Sequence, residues 1–213
     1  GMPVFHQLNS DYLENLAAAG VRPADVDLVV ITHVHGDHVG WNTYWSDGEW
    51  VPTFPNARYV ISRPDFDYWN PANRPATEPV SRMTNVFEDS VEPVHRAGQT
   101  VLWEGHHTID ANLSLAPAPG HTPGTSVLTL RSGSDRAMFV GDLLHSPLQI
   151  VEPGEAPCFD EDEALATASR RRVLAEVADE RALMLPAHFP GAGAAEVSRD
   201  GDRFAVKAWA AFR

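Results

Sequence analysis

Three histidines and an aspartate fall within six residues near the start of the chain, as His33, His35, Asp37 and His38. They follow the apolar segment 26–31, which has the composition of a buried strand. Imidazole nitrogens and carboxylate oxygens are ligands of divalent metals, and the end of a strand is a rigid place to hold them. Alternation along a continuing strand predicts that His33 and His35 share one face. Four such side chains are enough to surround more than one ion.

Three further candidates follow at the ends of predicted elements rather than inside apolar runs. His121 lies in the Gly- and Pro-rich turn 119–124, Asp142 follows a strand through a glycine, and His188 follows the short strand 183–185. Each is a weak candidate alone, because single polar residues at strand ends are common. Together with the first cluster they supply about the number of ligands that two divalent ions need.

The hydrophobic pattern predicts a mixed α/β layer fold as one domain over 1–213. Predicted strands cover 26–31, 58–62, 126–130, 137–140 and 183–185, short strands follow one another over 91–118, and a hairpin covers 196–206. Predicted helices cover 11–19, 161–181 and short segments from Gly36 and Pro64. In the helix over 161–181, the apolar stripe is read as Leu165, Ala168, Val173, Leu174 and Val177.

The composition of the chain limits which classes of partner and which compartment we expect for the protein. The formal net charge of -13 argues against nucleic acid, and the only basic run, 170–172, is predicted to be a solvated helix face. No apolar run of 18 residues occurs, so we expect no membrane span, and we see no signal peptide at the start. Cys158 is the only cysteine, which favours a reducing compartment, and we predict a cytoplasmic protein.

In their order and spacing, the seven candidate ligands resemble those of the metallo-β-lactamase superfamily. The strings Thr-His-Val-His-Gly-Asp-His-Val-Gly-Trp-Asn, Pro-Gly-His-Thr-Pro-Gly and Ala-His-Phe-Pro-Gly are similar to its lactonase and methyl-parathion-hydrolase-like branch. The resemblance implies a four-layer αββα sandwich with two metal ions, most simply Zn²⁺, with Fe or Mn as other choices. It also implies the ligand roles: His33, His35 and His121 on the first ion, Asp37, His38 and His188 on the second, and Asp142 bridging both.

Such a centre implies a metal-dependent hydrolase. Two ions about 3.5–4 Å apart hold a bridging hydroxide that attacks an ester, lactone or phosphotriester of a small-molecule substrate. Asp37 is then the candidate for delivering a proton to the leaving oxygen, and its alternative role is that of a ligand only. Thr32 and Thr122 are candidates for hydrogen bonds to the imidazoles, and His145 for lining the site.

The chain departs from the superfamily pattern at its start. Only 32 residues precede His33, so the N-terminal strands of the first sheet are expected to be missing. Either the chain is truncated or another subunit covers the open sheet edge, and the second possibility predicts a homodimer.

Two other classes of function stay open at this stage. The same superfamily contains iron-dependent oxidoreductases, such as sulfur dioxygenases, and the ligand set does not exclude iron. A truncated scaffold that binds metal without catalysis is the third possibility. The aromatic residues that follow the first cluster, Trp41, Tyr44, Trp45 and Trp50, either wall an apolar pocket or form core.

Overall fold

The computed structural model describes residues 10–73 and 85–211, and the chain divides into two compact units, Gly1–Trp103 and Glu104–Arg213. Both units mix helices and strands, as the sequence predicts. The single domain predicted over 1–213 stays a prediction. In the described residues no helix is both long enough and apolar enough to span a membrane.

The first unit is built around a parallel sheet. Its strands are β1 (Leu28–Val30), β2 (Thr43–Ser46), β3 (Glu49–Pro52), β4 (Arg58–Ser62) and β5 (Thr100–Trp103). β4 lies between β1 and β5 and is parallel to both, while β2 and β3 form a separate hairpin. Parallel strands buried on both faces are rich in apolar residues, and β4 shows this in its sequence Arg-Tyr-Val-Ile-Ser.

Short helices complete the first unit. They are α1 (Tyr12–Ala18), α2 (Gly36–Val39), α3 (Arg63–Trp69), α4 (Val86–Ser90) and α5 (Glu92–Arg96). The prediction of strands from residue 91 onward is wrong for α5. Pro93 occupies its first turn, where proline is tolerated, and Val91 and Val94 are buried three residues apart, which is helical spacing. The predicted helix over 11–19 and the strand over 58–62 are confirmed.

The second unit is built on a larger sheet. Its strands are β6 (His107–Thr108), β7 (Leu113–Pro117), β8 (Ser126–Ser132), β9 (Asp135–Gly141), β10 (Leu183–Pro186), β11 (Ala195–Asp200) and β12 (Arg203–Trp209). They lie side by side in the order β12-β11-β10-β9-β8-β7-β6, and only the β9–β10 pair is parallel. The carboxyl ends of β7, β9 and β10 therefore lie at the same edge of the sheet.

Two helices, α6 (Leu148–Val151) and α7 (Glu163–Glu180), belong to the second unit. The core contains Val140, Leu144, Val173, Leu174 and Val177. The predicted stripe of α7 is right at its C-terminal end and wrong at its start, where Leu165 and Ala168 are exposed. The buried residues there are Ala166, Ser169 and Arg170, which continue the row of Val173, Leu174 and Val177 at helical spacing.

Candidate metal centre

The loop between β1 and α2 carries the first histidine pair. β1 ends at Val30, so His33 and His35 lie beyond the strand rather than on it, which corrects the predicted strand end. Both side chains are nevertheless buried, and their ring centroids lie 4.8 Å apart with the planes almost perpendicular. One ring nitrogen of each lies within 4.8 Å of the other. The loop thus brings two potential ligands together without help from a strand.

A buried carboxylate holds this loop in place. Asp65 of α3 is fully buried, and its Oδ2 accepts a hydrogen bond of 2.7 Å from the backbone N–H of Val34, between the two histidines. Thr32 Oγ1 lies 3.2 Å from His33 Nδ1, as predicted for a residue that orients an imidazole. Trp69 of the same helix packs edge-on against His35 at 5.4 Å. Sequence patterns gave no signal for this contact of Asp65, because nothing local links residue 65 to residue 34.

Asp37 and His38 follow in α2. Asp37 Oδ2 lies 3.5 Å from His38 Nε2, and the His38 ring centroid lies 4.1 Å from that of His33. Asp37 is exposed, whereas His38 is half-buried. Within the first unit, the structure therefore groups the four predicted ligands of the opening motif.

The aromatic residues after the motif are not core. Tyr44 and Trp45 are 46% and 59% exposed, so the alternative that they form core is wrong for these two. Trp45 packs edge-on against Trp50 across the β2–β3 hairpin, and Trp41 packs against Tyr12.

The turn that carries His121 in the second unit is locked by its backbone. Gly120 has φ +132°, and a Cβ added there would lie 2.1 Å from the backbone nitrogen of Ala166, so only glycine fits. The carbonyls of Gly120 and His121 accept hydrogen bonds from the backbone N–H groups of Asp162 and Glu161. Thr122 Oγ1 lies 2.8 Å from Thr125 Oγ1, within the turn. The turn is thereby fixed to the start of α7, and the buried His121 is fixed with it.

Asp142 and His188 are brought together by the parallel pair of strands. β9 ends at Gly141 and β10 at Pro186, and these two residues are partners in the sheet after a register shift. Asp142 Oδ2 lies 3.2 Å from His188 Nε2 and 3.5 Å from His121 Nε2. The carboxylate is buried, whereas His188 is exposed. The three predicted ligands of this unit thus meet at one edge of the sheet.

A third histidine joins this group. His145 Nε2 also lies 3.2 Å from Asp142 Oδ2, and its ring stacks on that of His188 with an interplanar angle of 4°. Its Nδ1 is buried and has no hydrogen-bond partner among the described residues. The structure therefore places His145 beside the predicted ligands, where the sequence analysis expected it to line the site.

An ion pair behind His121 was not predicted. Asp160 Oδ1 lies 3.0 Å from His121 Nδ1, and Asp160 Oδ2 lies 3.2 Å from Arg170 Nη2. Arg170 is only 1% exposed, so the prediction that it is part of a solvated basic face is wrong. Burial lowers the pKa of its guanidinium, and the Asp160 carboxylate opposes that shift. The signal in the sequence was the position of Arg170 four residues before Leu174, on the buried row of α7.

The donor chemistry of each unit fits divalent metal ions. In the second unit, the Nε2 atoms of His121, His145 and His188 lie within 3.5 Å of one carboxylate oxygen of Asp142. Nitrogen donors with a carboxylate suit Zn²⁺, and they also suit Fe and Mn. The first unit offers the same combination of buried imidazoles with a nearby carboxylate. The assignment of individual ligands to individual ions stays a prediction.

Comparison with known proteins places this site in context. A family model described as the metallo-beta-lactamase superfamily matches residues 1–188. The protein YobT of Bacillus subtilis (strain 168) is 32% identical over 108 residues, which are 50% of this chain and 42% of YobT. The chain therefore covers less than half the length of this relative.

Two solved structures share the fold. AidC, described as a dizinc quorum-quenching lactonase in complex with a product, is 24% identical over 97% of this chain and 72% of its own, with a TM-score of 0.78. The hydrolase AbOPH, described as in the beta lactamase superfamily, is 25% identical over 92% of this chain and 68% of its own, also with a TM-score of 0.78. The resemblance and the fold class predicted from the sequence are confirmed.

Proposed function

We propose, from the premise that this chain belongs to the metallo-β-lactamase superfamily, that it is a metal-dependent hydrolase of small esters, lactones or phosphotriesters. The observation that carries the proposal is the arrangement around Asp142, where three imidazole Nε2 atoms lie within 3.5 Å of one buried carboxylate oxygen. Buried carboxylates beside several histidines are the usual protein environment of a divalent cation.

The proposed cofactor is a pair of divalent ions, most simply Zn²⁺. Following the family resemblance, we assign His33, His35 and His121 to one ion, Asp37, His38 and His188 to the other, and Asp142 to both. The side chains that lie close together within each unit support this assignment: His33 with His35 and Asp37 with His38 in the first unit, and Asp142 with His188 in the second. Asp37 and His188, which we assign to the second ion, are exposed, whereas His33, His35 and His121 are buried. We therefore expect the substrate to approach the second ion.

Divalent ions supply Lewis acidity here: when bound, they activate a water nucleophile and polarise the substrate oxygen. The protein's own residues position the reacting groups and transfer protons. Asp142 presents one buried carboxylate oxygen to the same point as the Nε2 atoms of His121 and His188, and its negative charge would offset the positive charge of bound ions. Asp37, which is exposed beside His38, is our candidate to deliver a proton to the departing oxygen.

The substrate class rests on the motifs that resemble the lactonase and methyl-parathion-hydrolase-like branch. AidC is described as a lactonase in complex with the product N-hexnoyl-L-homoserine, and two other structures that share the fold are described as N-acyl homoserine lactone hydrolases. These relatives favour a lactone as the first substrate to test, followed by an aryl ester and a phosphotriester.

Turnover by the zinc-loaded chain tests the function. The zinc-loaded protein is assayed on an acyl homoserine lactone, an aryl ester and an aryl phosphotriester, before and after chelation and zinc readdition. We expect hydrolysis of at least one substrate, loss on chelation and recovery with zinc. An Asp37→Asn variant should retain at least one zinc ion and lose most turnover, whereas Asp47→Asn, in the β2–β3 turn, should match the wild type. Full zinc loading without turnover on any substrate would contradict the proposal and favour a non-catalytic scaffold.

Compartment and assembly complete the proposal. With Cys158 as its only cysteine the chain forms no internal disulfide, which suits the cytoplasm. Among the described residues β1 is an edge strand of its sheet, and an edge strand offers backbone groups to a second copy. We therefore propose a homodimer, and a sedimentation experiment that finds a monomer at micromolar concentration would contradict it.

A further inference from the structure

Asp160 and Arg170 form a buried ion pair on the Nδ1 side of His121. The side chains of Asp160 and Arg170 are 0% and 1% exposed, and one carboxylate oxygen faces each partner. The guanidinium also donates to backbone carbonyls at 2.7–3.3 Å, those of Leu143, Pro153 and Glu155. Every polar group of this pair is therefore directed inward, and neither side chain is available to solvent.

The contact with Asp160 determines which nitrogen of His121 carries the proton. A carboxylate accepts hydrogen bonds, so at 3.0 Å the proton of the neutral imidazole belongs on Nδ1. The lone pair is then on Nε2, which is the atom that lies 3.5 Å from Asp142. The opposite tautomer would place the Nδ1 lone pair against the carboxylate and would be repelled.

The ion pair also ties together the segments that carry the ligands. Arg170 holds the carbonyl of Leu143, the residue after Asp142, at 2.8 Å, and it holds Asp160, which in turn contacts His121. One buried side chain of α7 therefore fixes the position of two predicted ligands that are far apart in the sequence.

We propose that Asp160, held by Arg170, is a positioning residue that sets the tautomer and aim of His121 and thereby raises the affinity of the centre for zinc. The inference rests on the proposed metal-dependent function, and it adds two residues that the ligand motifs do not contain. Partners behind a ligating histidine typically change metal affinity about 10–100-fold when they are removed.

Zinc affinity, measured by competition with a chromophoric chelator, tests the inference. We expect Asp160→Asn to weaken zinc binding about 10–100-fold. The matched control is Asp162→Asn, which removes the same charge from the same loop. Asp162 caps α7 through Leu165 N–H and Asn caps equally well, so this variant should bind zinc as the wild type does. Unchanged affinity in Asp160→Asn would overturn the inference.

A second variant separates positioning from folding. Asp160→Asn leaves the Arg170 guanidinium buried without its carboxylate, which destabilises the fold. The double variant Asp160→Leu/Arg170→Met removes both charges and should recover much of the thermal stability of the metal-free protein. We expect its zinc affinity to stay low. Recovery of wild-type affinity together with stability would show a merely structural role and overturn the inference.

The tautomer can be read in the wild type itself. A long-range ¹H–¹⁵N spectrum of the zinc-loaded protein should show His121 protonated at Nδ1, and protonation at Nε2 would overturn the inference. Failure of the proposed function looks different. In that case the wild type lacks zinc binding or, when loaded with zinc, turns over none of the substrates. Failure of the inference alone leaves wild-type zinc binding and turnover intact, with a zinc affinity equal to that of Asp160→Asn.

Discussion

Asp142 Oδ2 lies 3.2 Å from His188 Nε2, although the two residues are 46 positions apart in the sequence. They meet because β9 and β10 are neighbouring parallel strands that end together, and the backbone N–H of Ala187 donates to the carbonyl of Gly141. Gly141 has φ +52°, a left-handed conformation that lets the chain turn out of the strand immediately before the carboxylate. The geometry of this part of the centre is therefore a property of the sheet edge.

The first prediction concerns Asp142, which we assign to both ions. Asp142→Ala removes the carboxylate around which three imidazoles are grouped, so we expect loss of most turnover while at least one metal ion stays bound. Metal analysis and kcat on the best substrate measure both effects. Asp135→Ala, at the exposed start of β9, is the control and should behave as the wild type. Unchanged turnover in Asp142→Ala would remove Asp142 from the centre.

The second prediction concerns the turn that carries His121. Gly120→Ala adds a methyl group where backbone atoms of α7 lie 2.1–2.7 Å away, at a φ of +132°. We expect the free energy of unfolding to fall by about 3 kcal/mol or more, because the methyl group strains the backbone at this φ and also overlaps with backbone atoms of α7. Gly133→Ala is the matched control, since Gly133 also has positive φ but nothing lies within 4 Å. If urea unfolding showed the same loss of unfolding free energy in the two variants, the tight packing of this turn would be contradicted.

The third prediction concerns Asp65. Asp65→Ala leaves the buried N–H of Val34 without its acceptor, which costs about 1–3 kcal/mol of unfolding free energy. Because Val34 lies between His33 and His35, zinc affinity should fall as well. Asp67→Ala, on the exposed side of the same helix, should change neither quantity. A stable Asp65→Ala protein with wild-type zinc affinity would show that this hydrogen bond does not position the loop.

The fourth prediction concerns pH. Burial raises the pKa of Tyr59 to about 12, whereas an unfolded tyrosine titrates near 10. The unfolded state therefore loses its proton first, so the contribution of Tyr59 to stability is fully present below about pH 10 and is lost as the pH rises toward 12. Between pH 9 and pH 11, the free energy of unfolding measured in urea should fall less in Tyr59→Phe than in the wild type. Equal losses would contradict the burial of this phenol.

Tyr59→Phe should also be less stable at neutral pH. The hydroxyl donates to the carbonyl of Asn42 and accepts from the N–H of Phe54, so its removal costs about 1 kcal/mol. This loss is independent of pH, and comparing the two pH values within each variant separates it from the titration.

In the sequence, the candidate ligands were easier to recognise than the residues that hold them in place. Metal-capable side chains after strands are visible as local patterns, and the groups around His33 and Asp142 formed as expected within their units. Asp65 and Asp160 were missed, because each acts on a residue more than 30 positions away and carries no local motif. Such contacts depend on how loops pack, which periodicity does not report.

Arg170 shows a different limit. Its neighbours Arg171 and Arg172 are exposed, and a run of three arginines is typical of a solvated face. Helical spacing nevertheless placed it on the buried row with Val173, Leu174 and Val177, and a carboxylate with several carbonyls was available to pair with it. In this helix, the helical spacing of Arg170 predicted its burial better than its charge did, because the guanidinium is paired with a buried carboxylate.

The metal content of the purified protein, measured by elemental mass spectrometry, tests the proposed two-metal centre most directly. We expect close to two zinc ions per chain, with manganese or iron as a partial substitute. About one iron per chain would favour the oxidoreductase alternative. Almost no metal, even after reconstitution with zinc, would contradict the two-metal centre, because the seven assigned ligands would then not assemble it.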